Sequence, residues 1–573
     1  MAMPVPVAAR GGEIAQWRLI TAFIDHLPRR TFVPDVAADQ HRLSSGRPMV
    51  ALRGGSHCDR SPRRYAGSLC KQGIVSQLDL PSRASLNPVR HPSRLRQDMR
   101  RIVGSWIFGN LWVFTIGGAA MTKFARGVGM PDIGFGLLAA TPYLGTLFQL
   151  PASYLLRRAA TRKRMFLVTM TISRLSWVVM AAIPWVLPNA EHLWWQLMVM
   201  LTFVAWSTHH LGVPAWTGWM ADLIPSQIRG RFFGVCARYT QPIVLIAAIG
   251  VGYMLDIAEQ VQPMRPGLML RVTSSIVALA GLFGTLGIVG FYRRVEDRPP
   301  REDDNGGSWL SSIAQPLRDR NFRRYVAMNM TFTLGVGFVG QYIWVYLFDV
   351  GLMQAWLANA IMVVLPRFVH MYSYGAWGRQ IDKLGRKPIV IATLAMMTVS
   401  PLGWILVGQP DPWLRWPGLA VAMLGIFAYP GFEVANLNIM LGINSSRKEG
   451  AAEGGGGSSA YLVVNSMAVA VAGVLSGLIG LGCARYFADL AWSIPIVGGT
   501  LTYHGLLLFI SFVLRGLSLP WIMLVHDPGA EPTRDALRYM GANLYSNMRQ
   551  ALLTPTRVVG KVSRRTWRMN RPS

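Results

Sequence analysis

From about residue 102 to residue 525 the chain is a succession of long apolar runs broken by short polar loops. A helix rises 1.5 Å per residue, so some 20 apolar residues cross the ~30 Å hydrocarbon layer of a bilayer. Six runs of that length fall at 102–124, 134–156, 165–187, 194–215, 232–255 and 272–292. Six more fall at 323–348, 352–377, 388–408, 416–441, 460–482 and 500–525. They are continuous rather than ten-residue alternations, which selects helices over barrel strands. The fold class predicted is an all-α integral membrane protein with 12 transmembrane helices.

Composition agrees. The 573 residues are 51% hydrophobic and only 15% charged, against roughly 25% charged in soluble domains. The net charge of +29 raises the question of nucleic acid, but the excess sits in loops and tails rather than on one face of a domain, so no nucleic-acid partner is expected. Cys58, Cys70, Cys236 and Cys483 are scattered without metal-ligand spacing; no metal and no cofactor is predicted. Residues 1–98 are rich in Arg, Pro, Ser and Gly and lack periodicity, the pattern of a disordered leader. No secretory signal pattern is present there, and Met99, in RLRQDMRRIVGSW, offers a later start.

The runs fall into two sets. Arg162-Lys163, after the second run, recur 224 positions later as Arg386-Lys387, after the eighth, and Arg100 recurs as Arg324. A basic hairpin present twice at one offset predicts two pseudo-symmetric six-helix bundles, 99–292 and 322–526. A charged connector, 293–321, joins them, with an amphipathic helix expected over 308–318, and a basic tail, 527–573, follows. Lys and Arg concentrate in the loops after even-numbered runs, and their bias places those loops and both termini in the cytoplasm. The tail is expected on the anionic inner leaflet or in solvent.

The segment YGAWGRQIDKLGRKPIV, Tyr374 to Val390, resembles the signature of the major facilitator superfamily, G-x-x-x-D-x-x-G-R-K. Gly378, Asp382, Gly385, Arg386 and Lys387 match it fully. Upstream, Tyr154, Arg158, Thr161, Arg162 and Lys163 hold the same places, so the acid and both glycines are lost. Trp216 to Gly234, WTGWMADLIPSQIRGRFFG, looks like the corresponding loop of poorly characterised bacterial members. The resemblance covers about residues 100–526 and implies alternating access, with spans 1, 4, 7 and 10 lining the central path. It also implies that Asp382 meets the start of span 5, near Arg229 and Arg231, at the positive end of a helix dipole. In the first copy Arg157 and Arg158 stand where the acid should be. Glu449 and Glu453 lie in the loop that would oppose them, which suggests an exchanged ion pair.

Ionisable groups inside spans usually face a path or a partner. Here they are Arg174, His209, His210, Arg367, His370, Glu433, His504 and Arg515, with Asp222, Asp256 and Asp349 near span ends as weaker candidates. Gly425, Tyr429, Glu433 and Asn436 share one face of span 10, and Asn329, Thr333, Gly337 and Gln341 share one of span 7. Glu433 is either a proton carrier or a structural acid, paired with Arg367 or hydrogen-bonded to the backbone. Arg174 and Arg367 either bind an anionic substrate or are structural. Gly473 and Gly477 suggest a close helix crossing.

The function these features imply is secondary transport of a small molecule (a sugar, another metabolite or an amphipathic drug) by a monomer in the cell inner (plasma) membrane. A proton is the candidate coupling ion. A non-transporting sensor or scaffold is the alternative, favoured by the degenerate first hairpin. A membrane-embedded enzyme is disfavoured, since H-E-x-x-H and G-x-S-x-G are absent.

Overall fold

Capping residues that lie outside the apolar runs start some helices ahead of the predicted spans. Asp319 is an example: its Oδ1 accepts from the Asn321 and Phe322 N–H groups at 2.8 and 3.2 Å and starts a helix at Arg320. Thr161 does the same for a helix starting at Arg162, accepting from the Arg164 N–H at 3.1 Å. The computed structural model describes residues 92–158, 161–224, 226–297, 316–409, 411–445, 457–494, 499–527 and 531–542.

In chain order the helices are α1 (Pro92–Ile116, continued as Ala119–Gly127), α2 (Asp132–Thr146 and Gln149–Arg158) and α3 (Arg162–Val186). Next come α4 (Glu191–Leu223), α5 (Ser226–Val261) and α6 (Leu268–Leu286, prolonged by a π turn, Gly287–Phe291). Then follow α7 (Arg320–Val336 and Val339–Asp349), α8 (Ala355–Asn359, a π turn Ala360–Val364, and Leu365–Leu384) and α9 (Arg386–Val407). The last are α10 (Pro412–Ser445), α11 (Gly457–Tyr486) and α12 (Tyr503–Gly516 and Leu519–Leu524). Strands Trp492–Ile494 and Gly499–Leu501 pair antiparallel between α11 and α12. Every apolar run carries a helix. Among the described residues ten are long and apolar enough to cross a membrane, eleven if α1, bent by 48°, is one span. The remaining helix, α4, has the length at 33 residues, but its tryptophans and His209-His210 leave it outside that set.

The chain divides into two units, residues 1–104 and 105–573. Of the first only 92–104 are described, as the start of α1, which begins at Pro92, ahead of Met99. The remainder of the predicted leader lies outside the described residues, as do most of the connector helix and the tail beyond 542.

Within the second unit, one apolar cluster is confined to the second half, from Phe322 to Ala536. Two others draw on both halves: Trp112, Phe135 and Trp177 with Phe338, Tyr342 and Leu507, and Val244, Ala248 and Leu255 with Trp344, Ala355 and Ala358. Glycines permit the closest approach. A Cβ on Gly473 would stand 2.0 Å from Tyr143 Cδ1, and one on Gly477 2.8 Å from the Gly136 carbonyl oxygen, so both glycines serve the crossing of α11 over α2. The break in α7 is filled by Ser476 of α11, whose Oγ accepts from the Phe338 N–H and donates to the Leu334 carbonyl, both at 2.9 Å. That satisfies backbone groups the kink would leave open in hydrocarbon.

Candidate functional site

The second hairpin turns at Gly385, whose φ of +86° an L side chain rarely adopts. Arg386 then reaches three places. Its Nη1 donates to the Asn438 carbonyl of α10 at 3.0 Å, its Nη2 pairs with Asp527 Oδ1 at 2.8 Å, and the guanidinium covers Gly442. Lys387 donates from Nζ to the Met523 carbonyl at 2.8 Å and from its backbone N–H to Asp527 Oδ2 at 3.3 Å. Lys383 donates to the Tyr539 hydroxyl, and the Glu531 N–H donates to the Leu384 carbonyl at 3.3 Å. Residues 533–542 are helical, with Ala536 buried and Tyr539 and Met540 in the second-half core. This part of the tail therefore packs on the hairpin, where lipid or solvent was expected. Asp382 is exposed and bonds to no described residue, and nothing lies within 4 Å of a Cβ placed on Gly378.

The first hairpin keeps the cation geometry with fewer signature residues. Arg162 pairs with Asp222 of α4 at 2.5 Å and lies 3.3 Å from a Cβ placed on Gly218. Lys163 donates to the Val295 carbonyl at 2.6 Å. Gly218 and Gly442 are 224 apart, the offset of Arg162 and Arg386. The acid differs: the end of α4 supplies it in one half and the segment after α12 in the other. The side chains of Arg158, Arg229 and Arg231 lie outside the described residues, as do those of Arg157, Glu449 and Glu453.

Arg367, His370 and Tyr374 of α8 face Ile426, Tyr429 and Glu433 of α10, two stripes of matched helical spacing. The Tyr374 hydroxyl donates to Glu433 Oε2. The His370 ring stacks on Tyr429, centroids 5.7 Å apart and planes 17° apart, and its Nε2 lies 3.1 Å from the Ile426 carbonyl. Arg367 donates to the Val363 carbonyl of its own helix at 2.8 Å. Among the described residues Arg367 and Glu433 form no ion pair, and Glu433 is exposed. Asn436 turns to another neighbour: its Nδ2 donates to Asn329 Oδ1 at 2.9 Å, and Asn329 Nδ2 to Asn465 Oδ1 at 3.4 Å. Thr333 is buried further along α7, and Gln341 is half-buried beyond its break.

Arg174 and His209 belong to a separate cluster in the first half. The Arg174 guanidinium lies 3.3 Å from the Trp112 ring centroid, with Nη1 3.5 Å from His209 Nδ1 and 3.3 Å from Ser173 Oγ. Arg174 is buried, and no described carboxylate pairs with it. His210 lies between Thr146 Oγ1 at 3.3 Å and Gln149 Nε2 at 3.0 Å.

Sequence reasoning underrated the acids at the helix ends away from the hairpins. Arg126 pairs with Asp132 at 2.6 Å and with Asp349 of the other half at 2.5 Å, while the Tyr503 hydroxyl donates to Asp132. Tyr342 donates to the Asp132 carbonyl at 3.0 Å. Asp256, in the last turns of α5, accepts from the Ala355 and Trp356 N–H groups of α8 at 2.6 and 2.9 Å. Asn359 donates to the Ala248 carbonyl at 2.9 Å. Between described residues, all hydrogen bonds and ion pairs joining the two halves lie at this end. The available signal was scarcity: in a chain with 28 acids, one at a helix end has a cation or bare N–H groups as its natural partner.

A model of the Major Facilitator Superfamily matches residues 103–473. A mutant of the nucleoside transporter NupG superposes with a TM-score of 0.56 at 8% identity, over 76% of this chain and 100% of its own. A POT family transporter in complex with a thioalcohol-conjugated peptide gives 0.52 at 11%, over 75% and 96%. A bacterial homologue of the human lysosomal transporter Spinster, inward-facing and unoccupied, gives 0.50 at 13%, over 77% and 100%. At these identities the likeness is one of fold. No curated protein matches the sequence.

Proposed function

The chain belongs to the major facilitator superfamily, and from that premise we propose that it is a twelve-span secondary transporter carrying a small molecule by alternating access. It is a multi-pass membrane protein with a transporter fold. The bundles are 99–292 and 322–526, the hairpins and both termini face the cytoplasm of the plasma (inner) membrane, and the working unit is a monomer. The observation that carries this reading is the polar join at the end remote from the hairpins. There Arg126 pairs with Asp349, the Tyr503 hydroxyl donates to Asp132 and Asp256 accepts from the first N–H groups of α8, as expected of a closed outer gate. Asp382, at the hairpin end, is then the inner-gate residue.

The substrate path runs between the halves past α8 and α10. Glu433 is its proton site, held by the Tyr374 hydroxyl rather than by a cation. Reconstitution into liposomes with an imposed pH gradient tests the proposal. Sugars, other small metabolites and amphipathic drugs are offered, and flux is followed with an internal pH dye. Gradient-driven flux of one class, lost in Glu433→Gln, supports the reading. Gradient-driven flux that survives Glu433→Gln removes the proton role, and absence of flux for every class favours a sensor. The sensor reading rested on degeneration of the first hairpin, yet Arg162 and Lys163 remain engaged there.

A further inference from the structure

A carboxylate stands near each end of the α5–α8 pair. Asp256, in the last turns of α5, accepts two backbone N–H groups at the start of α8, at 2.6 and 2.9 Å. The fit is close: a Cβ on Gly252, one turn earlier, would stand 2.4 Å from Trp356 Cα, and one turn earlier again the Ala248 carbonyl accepts from Asn359. Residues 248, 252 and 256 thus form one stripe in register with 355–359. At the other end Asp382, in the last turn of α8, is exposed and unbonded among the described residues, while α5 begins at Ser226.

We infer that Asp256 is the outer counterpart of Asp382. Each is a carboxylate in the last turns of one helix that caps the N-terminus of the other, and the two caps are made in alternation. The first N–H groups of a helix have no intrahelical partner, and its dipole favours an anion there. Capping by a residue of the opposite half converts that need into a force between halves. Tilting the halves to close the hairpin end withdraws Asp256 from Ala355 and Trp356 and brings Asp382 to α5. Each state then keeps one interdomain cap, and neither is trapped by holding both. This inference rests on the alternating-access reading and adds to it a residue that holds the outer gate shut.

Spin-label distances on the full chain in liposomes, without cargo, test it. Met264→Cys with Trp413→Cys reports the remote end, and Arg164→Cys with Arg379→Cys the hairpin end, with Cys58 and Cys70 replaced. Asp256→Ala is expected to raise the ratio of remote-open to remote-closed molecules about fivefold, the factor that one N-cap contributes. Asp256→Asn, which retains an acceptor oxygen, is expected to raise it less, Asp382→Ala to lower it, and the double variant to return it toward the parent value. An unchanged remote-end distribution in a folded Asp256→Ala protein, while other variants or cargo still shift both pairs, overturns the alternating cap and leaves alternating access standing. If both label pairs stay fixed under every variant, pH gradient and cargo, alternating access itself fails.

Discussion

Arg386 lies across Gly442, so closely that a Cβ there would stand 2.2 Å from Nη1. The same pairing recurs 224 residues upstream, where a Cβ on Gly218 would stand 3.3 Å from Arg162 Nη1. In both halves a glycine late in the fourth or tenth helix clears room for the hairpin arginine, tying the hairpin to a helix expected to line the path.

Gly442→Ala is expected to push Arg386 off both the Asn438 carbonyl and Asp527, at a cost of about 1–3 kcal/mol typical of overpacking. Gly218→Ala meets only a soft contact and gains helix propensity, up to ~1 kcal/mol, so its net effect is small. Thermal unfolding in detergent should therefore show a clear fall in Tm for Gly442→Ala alone. Equal Tm values for the two variants would remove the packing role assigned to Gly442.

Asp527, which pairs with Arg386, and Asp382, four residues before Arg386 in the hairpin, should differ in energetic weight. The Asp527 side chain is 5% exposed and Arg386 30%. Its removal leaves a half-buried guanidinium short of its anion, at about 2 kcal/mol, below the ~3–5 kcal/mol of a fully buried pair. Asp382→Ala, on an exposed side chain, should stay within about 0.5 kcal/mol while impairing transport. Unfolding midpoints set beside initial flux rates separate the two. A Tm loss in Asp382→Ala as large as that in Asp527→Ala would contradict the assignment.

Tyr374→Phe removes the hydroxyl that holds Glu433 and leaves the ring. Gradient-driven accumulation should fall while downhill exchange of labelled cargo persists, since only proton coupling is disturbed. Glu433→Gln should abolish accumulation altogether and also spare exchange. Parallel accumulation and counterflow assays in proteoliposomes decide the matter, and loss of exchange in both variants would place Glu433 in cargo binding instead.

Apolar run length and basic loops made the helices and the hairpins legible in sequence, because both follow from local chemistry. Glu433 and Tyr429 were likewise legible as neighbours on one helix. Their partners Tyr374 and His370 come from another helix and depend on how α8 rotates against α10, which periodicity does not encode. The same limit hid Asp527: nothing in a tail of mixed polar residues signals that one carboxylate turns back onto Arg386. Asp222, Asp256 and Asp349 were discounted for sitting near water. In the structure that position suits them, since helix ends are where bare N–H groups and loop cations meet.

Arg174 poses the sharpest question about the first half. It is buried, stacks on Trp112 and has no carboxylate partner among the described residues. A cation–π contact of this kind contributes about 2 kcal/mol when desolvated, less than the several kcal/mol a buried ion costs. A charge kept against that balance is expected to serve function rather than folding. Arg174→Met fills the same volume without the charge and should raise Tm, by an amount on the order of 1–4 kcal/mol in stability, while reducing flux. Arg174→Lys keeps the charge but loses the planar stack and should lower Tm. Gly284, where a Cβ would meet Arg174 Cδ at 2.6 Å, supplies the control: Gly284→Ala should destabilise the parent more than an Arg174→Ala background. A stabilised Arg174→Met protein with undiminished flux would show that transport does not need this charge.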